Sequence, residues 1–218
     1  MEKVVVYMLD GRLLEGRADE CRDVIPSRHA TRSLFGTRHS RLEALASGLL
    51  LRALLGVRDE DRLRRGAHGK PYLEGGPEFN LTNDCGWAAM AVSDEPVGVD
   101  LEEVPSRYRD GIEGLVARRY FDAEELRLIG GASTREGLRA WARAWTRREA
   151  ILKAAGTGFA TDPSASPEVL EGWHLEQRDL GNRVLAVAAP SPFELDVMEP
   201  DASALLDGVL AGRGEPRP

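Results

Sequence analysis

A long stretch of helical periodicity covers residues 138–155 and ends at Gly156, a residue type that commonly terminates helices. Four side chains recur at every fourth position and share one face of this predicted helix: Trp141, Trp145, Glu149 and Lys153. Two indoles that lead into an acid and a base predict a site with an apolar wall. The same pattern also fits buried tryptophans beside an ordinary surface Glu–Lys pair, and the helix alone leaves both interpretations open.

Shorter segments on both sides alternate between strand and helix patterns. Strands are predicted at residues 4–9, 78–82, 87–92, 97–101, 173–178 and 183–189, and helices at 40–55, 114–120, 122–129 and 202–210. The turn residues 93–96 predict that strands 87–92 and 97–101 form a hairpin. Asp122, with Glu125 three residues later, has the pattern of a helix capping box. Because each half of the chain mixes helices with antiparallel-type strands, the predicted fold class is α+β.

A linker-like stretch at residues 105–111 lies near the middle of the chain. We therefore expect an N-terminal lobe at residues 1–105 and a C-terminal lobe at residues 106–211. Residues 212–218 are rich in glycine, proline and arginine, a composition that is typical of a disordered tail.

Composition argues against several classes of function. Of the 218 residues, 42% are hydrophobic, and the net charge of −7 disfavours a protein that binds a nucleic-acid backbone. The sequence has neither a run of about 18 apolar residues nor a signal-peptide pattern, so we expect a cytoplasmic protein that does not cross a membrane. Cys21 and Cys85 are expected to be free thiols.

Two acidic residues lie at alternate positions of the predicted strand 97–101 and its end. Asp100 and Glu102 would share one face, while Val99 and Leu101 point into the core. Two carboxylates this close repel each other, and a hard divalent cation with a preference for oxygen ligands would relieve the repulsion. A solvated strand end is the alternative interpretation of this pair.

A lysine between glycine and proline, Lys70, can present its ammonium group to a phosphate. The surrounding sequence is not a Walker loop, and no dinucleotide-binding glycine pattern is present. The four histidines show no metal-ligand spacing, and no hydrolase nucleophile elbow is found. The acidic net charge of the chain does not exclude a local basic site for a phosphorylated small molecule.

The order and spacing of the motifs are more informative than any motif alone. They occur as Gly69-Lys70-Pro71, Phe79-Asn80-Leu81-Thr82, Trp87, Gly98-Val99-Asp100-Leu101-Glu102, Arg119-Tyr120-Phe121 and Trp145-Thr146-Arg147-Arg148-Glu149 with Lys153. In this arrangement the chain resembles the 4′-phosphopantetheinyl transferase superfamily, and its length and residues 41–52 resemble the surfactin type. The resemblance covers residues 28–159, and the two acidic motifs are its most specific part.

This resemblance implies a fold and a reaction. It implies a monomer of two similar α+β lobes, a pseudo-dimeric arrangement with coenzyme A and the active site in the cleft between them. The implied reaction transfers the 4′-phosphopantetheine group of coenzyme A to a serine of an acyl or peptidyl carrier protein and releases 3′,5′-ADP. The implied cofactor is Mg²⁺, with Mn²⁺ as the alternative, and neither a nucleic acid nor a membrane is an expected partner.

The resemblance also implies roles for individual residues. Asp100, Glu102 and Glu149 match the metal ligands of the family. Glu149 would accept the serine proton, and Lys153 would contact the pyrophosphate, so these two are the implied catalytic residues. The positions expected to bind coenzyme A are Arg28, Arg52, Lys70, Pro71, Thr82, Asn83 and Lys153.

Two positions depart from the family's usual pattern. Asn83 stands where histidine is usual, and Arg148 stands where lysine is usual. Since asparagine carries no charge and the neighbouring Asp84 is negative, we expect a weakened contact with the 3′-phosphate of coenzyme A. These departures allow an alternative, a catalytically impaired homologue that only binds coenzyme A or a carrier protein. The complete set of acids, together with Lys153, favours an active enzyme.

Overall fold

A computed structural model describes residues 2–107, 112–130 and 134–212, with the side chains of Glu60 and Ile112 excepted. The predicted linker 105–111 therefore lies partly outside the described residues, and the predicted tail lies outside them except for Gly212. Across the described ranges, no helix has both the length and the apolar character needed to cross a membrane. Cys21 and Cys85 are free thiols, as predicted.

Groups of consecutive strands and groups of consecutive helices follow one another along the chain. The strands are β1 Glu2–Asp10, β2 Leu63–Arg65, β3 Pro71–Leu73, β4 Glu78–Asp84, β5 Trp87–Ser93, β6 Gly98–Glu103, β7 His174–Leu180, β8 Arg183–Ala189 and β9 Phe193–Met198. The α-helices are α1 Ala18–Val24, α2 Ser27–Arg32, α3 Arg38–Leu55, α4 Ile112–Tyr120, α5 Ala123–Ile129, α6 Arg135–Ala155 and α7 Ala202–Leu210. Short 3₁₀ helices occupy Gly11–Arg17, Glu60–Arg62, Gly158–Ala160 and Pro167–Leu170.

The strands form two larger sheets and a ribbon. The four-stranded sheet has the order β4-β5-β1-β9, in which only the β1–β9 pair is parallel among the described strands. The three-stranded sheet has the antiparallel order β6-β8-β7, and β2 pairs with β3 in the ribbon. The fold is therefore a mixture of helices and mainly antiparallel strands. This confirms the general class of the α+β prediction.

Alternating side chains on the strands build layers on both faces of each sheet. One face of the four-stranded sheet packs on α3, where Leu45 and Leu49 meet Phe79 and Met90. The opposite face packs on the three-stranded sheet in a core shared by the two sheets. Its members include Val4, Val6, Met8, Ala89, Ala91, Val99, Leu101, Leu185 and Val187.

Helix α6 covers the outer face of the three-stranded sheet. Small residues make this contact, with Ala150, Ile151 and Ala154 against Ala186 and Ala188. The layers therefore follow one another in the order helix, sheet, sheet, helix, and α6 lies directly over the face of β6 that carries the acidic residues.

Local sequence signals identified the C-terminal ends of α3 and α6 and the start of α5, whereas α3 and α6 begin two and three residues before their predicted starts. Gly56 and Gly156 both adopt left-handed backbone conformations, with φ of 63° and 71°, at the ends of α3 and α6. Asp122 and Glu125 form the predicted capping box at the start of α5. Strands β7 and β8 form the predicted antiparallel pair across residues 181–182.

The predicted hairpin of strands 87–92 and 97–101 is wrong. Both segments are strands, but β5 pairs with β4 and β1, whereas β6 pairs with β8 in the other sheet. The turn residues make a local contact, in which Ser93 Oγ accepts a hydrogen bond from the Glu95 N–H at 3.1 Å, and the Asp94 N–H donates to Glu2 Oε1 on β1 at 3.3 Å. The apolar side chains of β6 pack face to face on those of β5, so the chain crosses between sheets at residues 93–97 instead of folding back along one edge.

The strand β9 is absent from the sequence prediction, although the segment Phe193–Met198 alternates apolar and acidic residues. It pairs with β1, and α7 packs on α3, so the end of the described chain returns to the first sheet. The lobe boundary at residue 105, the likeness of the two lobes and the cleft between them stay predictions. A division by these contacts would group β9 and α7 with the N-terminal half.

We predict that Gly98→Ala destabilises the protein through the contact between β6 and α6. A Cβ atom at position 98 would lie 2.0 Å from the Ala150 carbonyl oxygen and 2.3 Å from the Ala154 nitrogen, both backbone atoms of α6. Overpacking of this kind usually costs about 1–3 kcal/mol. Urea denaturation measures the loss in free energy of unfolding.

Gly208→Ala is the matched control, because a Cβ atom there meets nothing within 4 Å and the residue lies inside α7. This change should stabilise the protein by up to about 1 kcal/mol through helix propensity. A Gly98→Ala effect within the roughly 0.5 kcal/mol typical of surface substitutions would contradict the packing argument.

Candidate active site

Strands β4 and β6 are neighbouring edges of two different sheets, and side chains of β4 connect them. Asn80 Oδ1 accepts a hydrogen bond from the Val99 N–H at 2.9 Å, and Asp84 Oδ2 accepts one from the Glu103 N–H at 2.6 Å. Thr82 lies between them on the same face of β4, since alternate strand positions point to one side. We call Asn80, Thr82 and Asp84 the polar ladder.

The middle of the polar ladder leads into a cluster of charged groups. The Thr82 hydroxyl donates to Asp100 Oδ1 at 2.9 Å, and the Lys153 ammonium contacts the same oxygen at 2.6 Å. Lys153 Nζ also lies 3.1 Å from Thr82 Oγ1 and 3.5 Å from Glu149 Oε2. The exposed fractions of the side chains are 4% for Asp100, 20% for Glu149 and 25% for Lys153, so Lys153 and Glu149 still reach solvent. Four predicted site residues are thereby brought together.

Glu102 lies against aromatic side chains. Its Oε1 accepts a hydrogen bond from Trp145 Nε1 at 3.1 Å. The Trp145 ring stacks on Phe159 and on Trp141, with ring centroids 5.5 Å and 6.1 Å apart, and Tyr120 lies 5.3 Å from Phe159. The apolar wall predicted from the helix stripe is therefore present, and its indole N–H orients one of the acidic residues.

Burial and neighbouring charges shift the pKa values of these groups. Burial, followed by the charges of Asp100 and Asp84, raises the pKa of Glu102 to about 9. Burial also raises the pKa of Glu149, against the opposing effect of the Lys153 ammonium. Burial lowers the pKa of Lys153, but Asp100 and Glu149 together outweigh it and hold that pKa above its ordinary value. At neutral pH, Lys153 is charged and Glu102 retains its proton unless a cation binds.

The acidic residues have the chemistry of a site for a hard divalent cation. Asp100 Oδ2 is buried without a hydrogen-bond partner, which is unusual for a buried polar atom. Burial raises the pKa values of Glu102 and Glu149, and the nearby Lys153 ammonium only partly opposes this, so a divalent cation would stabilise their ionised forms further. Within the part of the chain that the structure describes, no three acidic, histidine or cysteine residues form a ready-made metal site. Lys153 contacts both Asp100 and Glu149, so side chains would have to turn to coordinate a metal.

A cavity of about 210 Å³ adjoins the Lys153 end of the cluster. Its walls are formed by residues 68–71, by β4 and by the turn after α6, and they include Lys70, Pro71, Asn80, Lys153 and Gly156. Two of the residues expected to bind coenzyme A, Lys70 and Pro71, thus share a cavity with Lys153.

The Lys70 side chain has a different partner from the phosphate that the sequence suggests. Its ammonium group donates to the carbonyl oxygens of Val97 at 3.0 Å and Ala154 at 3.2 Å. Burial lowers the pKa of this group. Lys70 therefore ties the start of β3 to the segment before β6 and to the last turn of α6, and a phosphate contact for its ammonium stays a prediction.

Three residues expected to bind coenzyme A lie away from the Lys153 cluster. Arg28 and Arg52 belong to α2 and α3, which lie on the face of the four-stranded sheet that points away from the three-stranded sheet. Arg52 is buried and lines a separate cleft with Ser27. Asn83 is exposed and follows Thr82 on β4, so its side chain points to the opposite face. Their roles in binding stay predictions.

Arg148, which stands in place of the usual lysine, has a structural role. Its guanidinium group binds both carboxylate oxygens of Glu125 at 2.7 Å and 2.5 Å and lies over the Phe121 ring, 4.9 Å from the centroid. Because Glu125 also completes the capping box with Asp122, one carboxylate fixes the start of α5 and holds it on α6. Arg148 is therefore outside the Lys153 cluster.

Comparison with known proteins decides the family. A family model described as the 4′-phosphopantetheinyl transferase superfamily matches residues 96–187. The 4′-phosphopantetheinyl transferase AcpT of Salmonella typhimurium is 33% identical over 133 residues, which are 60% of this chain and 68% of that protein. This chain belongs to the 4′-phosphopantetheinyl transferase superfamily. The matched segment contains Asp100, Glu102, Glu149 and Lys153.

The matches to two other members of the superfamily cover a smaller share of those proteins. The 4′-phosphopantetheinyl transferase gsp of Aneurinibacillus migulanus is 26% identical over 130 residues, which are 60% of this chain and 50% of that protein. The 4′-phosphopantetheinyl transferase psf-1 of Bacillus pumilus is 30% identical over 95 residues, 43% of this chain and 39% of that protein. The matched part of this chain thus spans half or less of these two relatives.

Two contacts of the polar ladder were not anticipated from the sequence. The sequence presents Asn80 only as part of a motif and predicts that Asp84 repels a phosphate, whereas both side chains accept hydrogen bonds from the backbone of β6. The signal that points to these contacts is the polar side chains at alternate positions of β4, Asn80, Thr82 and Asp84. That pattern shows which face of the strand is polar, but it does not identify the backbone groups that these side chains bind.

We predict that Lys70→Met lowers the free energy of unfolding by about 1.5–3 kcal/mol, the contribution typical of hydrogen bonds from a charged group. The change would leave the Val97 and Ala154 carbonyls without their donor. Lys3→Met is the control. Lys3 forms an exposed ion pair with Asp196, so this change should alter the free energy of unfolding only slightly. Equal denaturation midpoints for the two variants would argue against the Lys70 contact.

We predict that Glu102→Gln stabilises the metal-free protein increasingly as pH rises. The pKa of Glu102 is 4.5 ordinarily and about 9 in the folded protein, so between these values the folded state holds a proton that the unfolded chain releases. Wild-type stability from this group is therefore present at low pH and is lost as pH rises towards 9. Urea denaturation in EDTA at pH 5 and pH 8.5 measures the difference, with the exposed Glu136→Gln as a control that should show no pH-dependent gain.

Proposed function

We propose that this protein transfers the 4′-phosphopantetheine group of coenzyme A to a serine of an acyl or peptidyl carrier protein. The observation that carries the proposal is the contact of Lys153 with Asp100 and Glu149, three residues that lie inside the segment matched by the family. The names of the curated relatives support the reaction class.

The reaction requires one bond to form and one to break at phosphorus. The serine hydroxyl oxygen forms a bond to the β-phosphorus of coenzyme A, and the bond from that phosphorus to the oxygen of the departing 3′,5′-ADP breaks. The serine proton passes to Glu149, directly or through a water that Glu149 orients. The Glu149 carboxylate still reaches solvent and lies 3.5 Å from the Lys153 ammonium, which supports this role.

Lys153 supplies positive charge where the pyrophosphate is expected. Its raised pKa keeps the ammonium group charged at neutral pH, and Asp100 and Thr82 hold it in place through contacts of 2.6 Å and 3.1 Å. A fixed cation of this kind stabilises negative charge that develops on the leaving phosphate. Lys153 would exchange part of its contact with the carboxylates for contact with the substrate.

Asp100, Glu102 and Glu149 are the residues that would hold Mg²⁺ or Mn²⁺. When bound, the cation would neutralise charge on the pyrophosphate. The neighbouring side chains orient these ligands: Thr82 donates to Asp100, and Trp145 donates to Glu102. Such outer contacts set the direction of metal ligands and influence affinity.

The cavity beside Lys70 and Pro71 is the proposed site for the nucleotide end of coenzyme A, because it adjoins Lys153. Arg28, Arg52, Thr82 and Asn83 complete the proposed binding set from the family resemblance. We further propose a cytoplasmic monomer that works with the carrier protein in a cleft between two lobes.

The alternative of a catalytically impaired homologue is based on two residues, the uncharged Asn83 and an Asp84 that would repel a phosphate. The contact made by Asp84 argues against the second of these. The Asp84 carboxylate accepts a hydrogen bond from the Glu103 N–H, so it faces β6. The preserved contacts of Asp100, Glu149 and Lys153 favour the active enzyme.

The decisive experiment incubates the protein with an apo-carrier protein, coenzyme A and Mg²⁺ and measures the intact mass of the carrier. We expect the mass to increase by one phosphopantetheinyl group. Lys153→Met should cost roughly 2–4 kcal/mol of transition-state stabilisation in kcat/KM, and Glu149→Gln should slow transfer by about 10²–10⁴-fold.

Glu136→Gln, on the exposed surface of the same helix, is the control for both variants. Binding of coenzyme A without any modified carrier would favour the impaired homologue. Wild-type turnover in either Lys153→Met or Glu149→Gln would contradict the assigned roles.

A further inference from the structure

We infer that Asp84 is a positioning residue that fixes the end of β6 and thereby sets the direction of Glu102. The link to catalysis rests on the proposed function, whereas the structural link is independent of it. Asp84 lies on β4 and has no assigned role in the reaction described above.

The contact that carries this inference is made to the peptide unit between Glu102 and Glu103. The N–H of Glu103 belongs to that unit, and Asp84 Oδ2 accepts its hydrogen bond at 2.6 Å. Because a peptide unit is planar, holding its N–H also holds the carbonyl group of Glu102. The backbone on the C-terminal side of Glu102 is thereby oriented, and with it the direction in which the Glu102 side chain leaves the strand.

The neighbouring contacts show why this end of β6 needs an anchor. β6 is the edge of its sheet, so its backbone groups on the β4 side have no strand partner in that sheet. The Glu103 side chain accepts a hydrogen bond from Asn182 Nδ2 at 2.9 Å, and the next N–H, of Val104, donates to the Asn182 carbonyl oxygen at 2.9 Å. Asn182 therefore holds the strand end from the β8 side, and Asp84 holds it from the β4 side.

Glu102 is the acidic residue most affected by this arrangement. Its carboxylate reaches Trp145 Nε1 at 3.1 Å across the gap between β6 and α6. A rotation of the peptide unit after Glu102 would move this carboxylate relative to Asp100. Asp100 is better protected, because Thr82 and Lys153 hold its side chain directly.

An alternative role for Asp84 depends on its charge, as a further metal ligand or as a group that repels phosphate. The two roles differ in what asparagine can replace. Asp84→Asn keeps an oxygen that accepts from the Glu103 N–H and removes the charge, whereas Asp84→Ala removes both. Asp94→Ala is the matched control, because Asp94 is an exposed aspartate in the segment between β5 and β6.

The test compares these variants by three measurements. Hydrogen exchange of the Glu103 amide should be slow in the wild type and in Asp84→Asn, and faster in Asp84→Ala. Mn²⁺ affinity, measured by electron paramagnetic resonance, should fall roughly 10–100-fold in Asp84→Ala, the usual effect of losing an outer contact of a metal site. It should change much less in Asp84→Asn, which keeps the contact and removes only the effect of the Asp84 charge on Glu102. In the transfer assay, kcat should fall in Asp84→Ala while the KM for coenzyme A stays the same.

Either of two results would overturn the inference. The first is an Asp84→Asn variant that behaves like Asp84→Ala or changes the KM for coenzyme A, since charge would then be the property that matters. The second is an Asp84→Ala variant with unchanged amide exchange and Mn²⁺ affinity. If Asp84→Ala does not fold, Asp84→Ser takes its place, because the shorter side chain cannot span the same contact. Absence of transfer in the wild type would contradict the proposed function alone, and the exchange and Mn²⁺ measurements would still decide the role of Asp84.

Discussion

The contact between β4 and β6 is the constraint on which the rest of the site depends. Two sheets that share an apolar core could slide along each other, because packing of alanine and valine is not directional. Hydrogen bonds from Asn80 and Asp84 to the backbone of β6 are directional and specify one register. That register places Thr82 opposite Asp100, and α6 then brings Lys153 to the same point.

Buried charged groups dominate the energetics of this site. A carboxylate as buried as Asp100 is costly unless it is paired, and Lys153 supplies the pairing. Glu149 lies farther from the Lys153 ammonium, at 3.5 Å, and Glu102 accepts a hydrogen bond from the Trp145 indole. Burial, together with the neighbouring acidic groups, raises the pKa of both. The proposed divalent cation would supply positive charge that this group of buried acids lacks.

Much of the local structure could be predicted from the sequence, because helix caps and alternating strands depend on neighbouring residues. The capping box at Asp122 and the left-handed glycines at 56 and 156 are examples. The acidic pair and the helix stripe also identified the residues that meet in the site. The pairing of the strands was harder to predict, since β5 and β6 are adjacent in sequence but belong to different sheets. The roles of Lys70 and Asp84 were also missed, because each binds a backbone group whose position depends on the whole fold.

The return of the chain to its first sheet has a consequence for how the protein folds during synthesis. β1 is synthesised more than 180 residues before its parallel partner β9, which follows α6 and the strands of the three-stranded sheet. Until then, the β1 edge that β9 will cover lacks its partner, and α3 lacks α7. Contacts this distant in sequence form slowly, and an uncovered strand edge can pair with another chain. β9 and α7 thus complete a sheet and a helical layer whose other members are synthesised long before them.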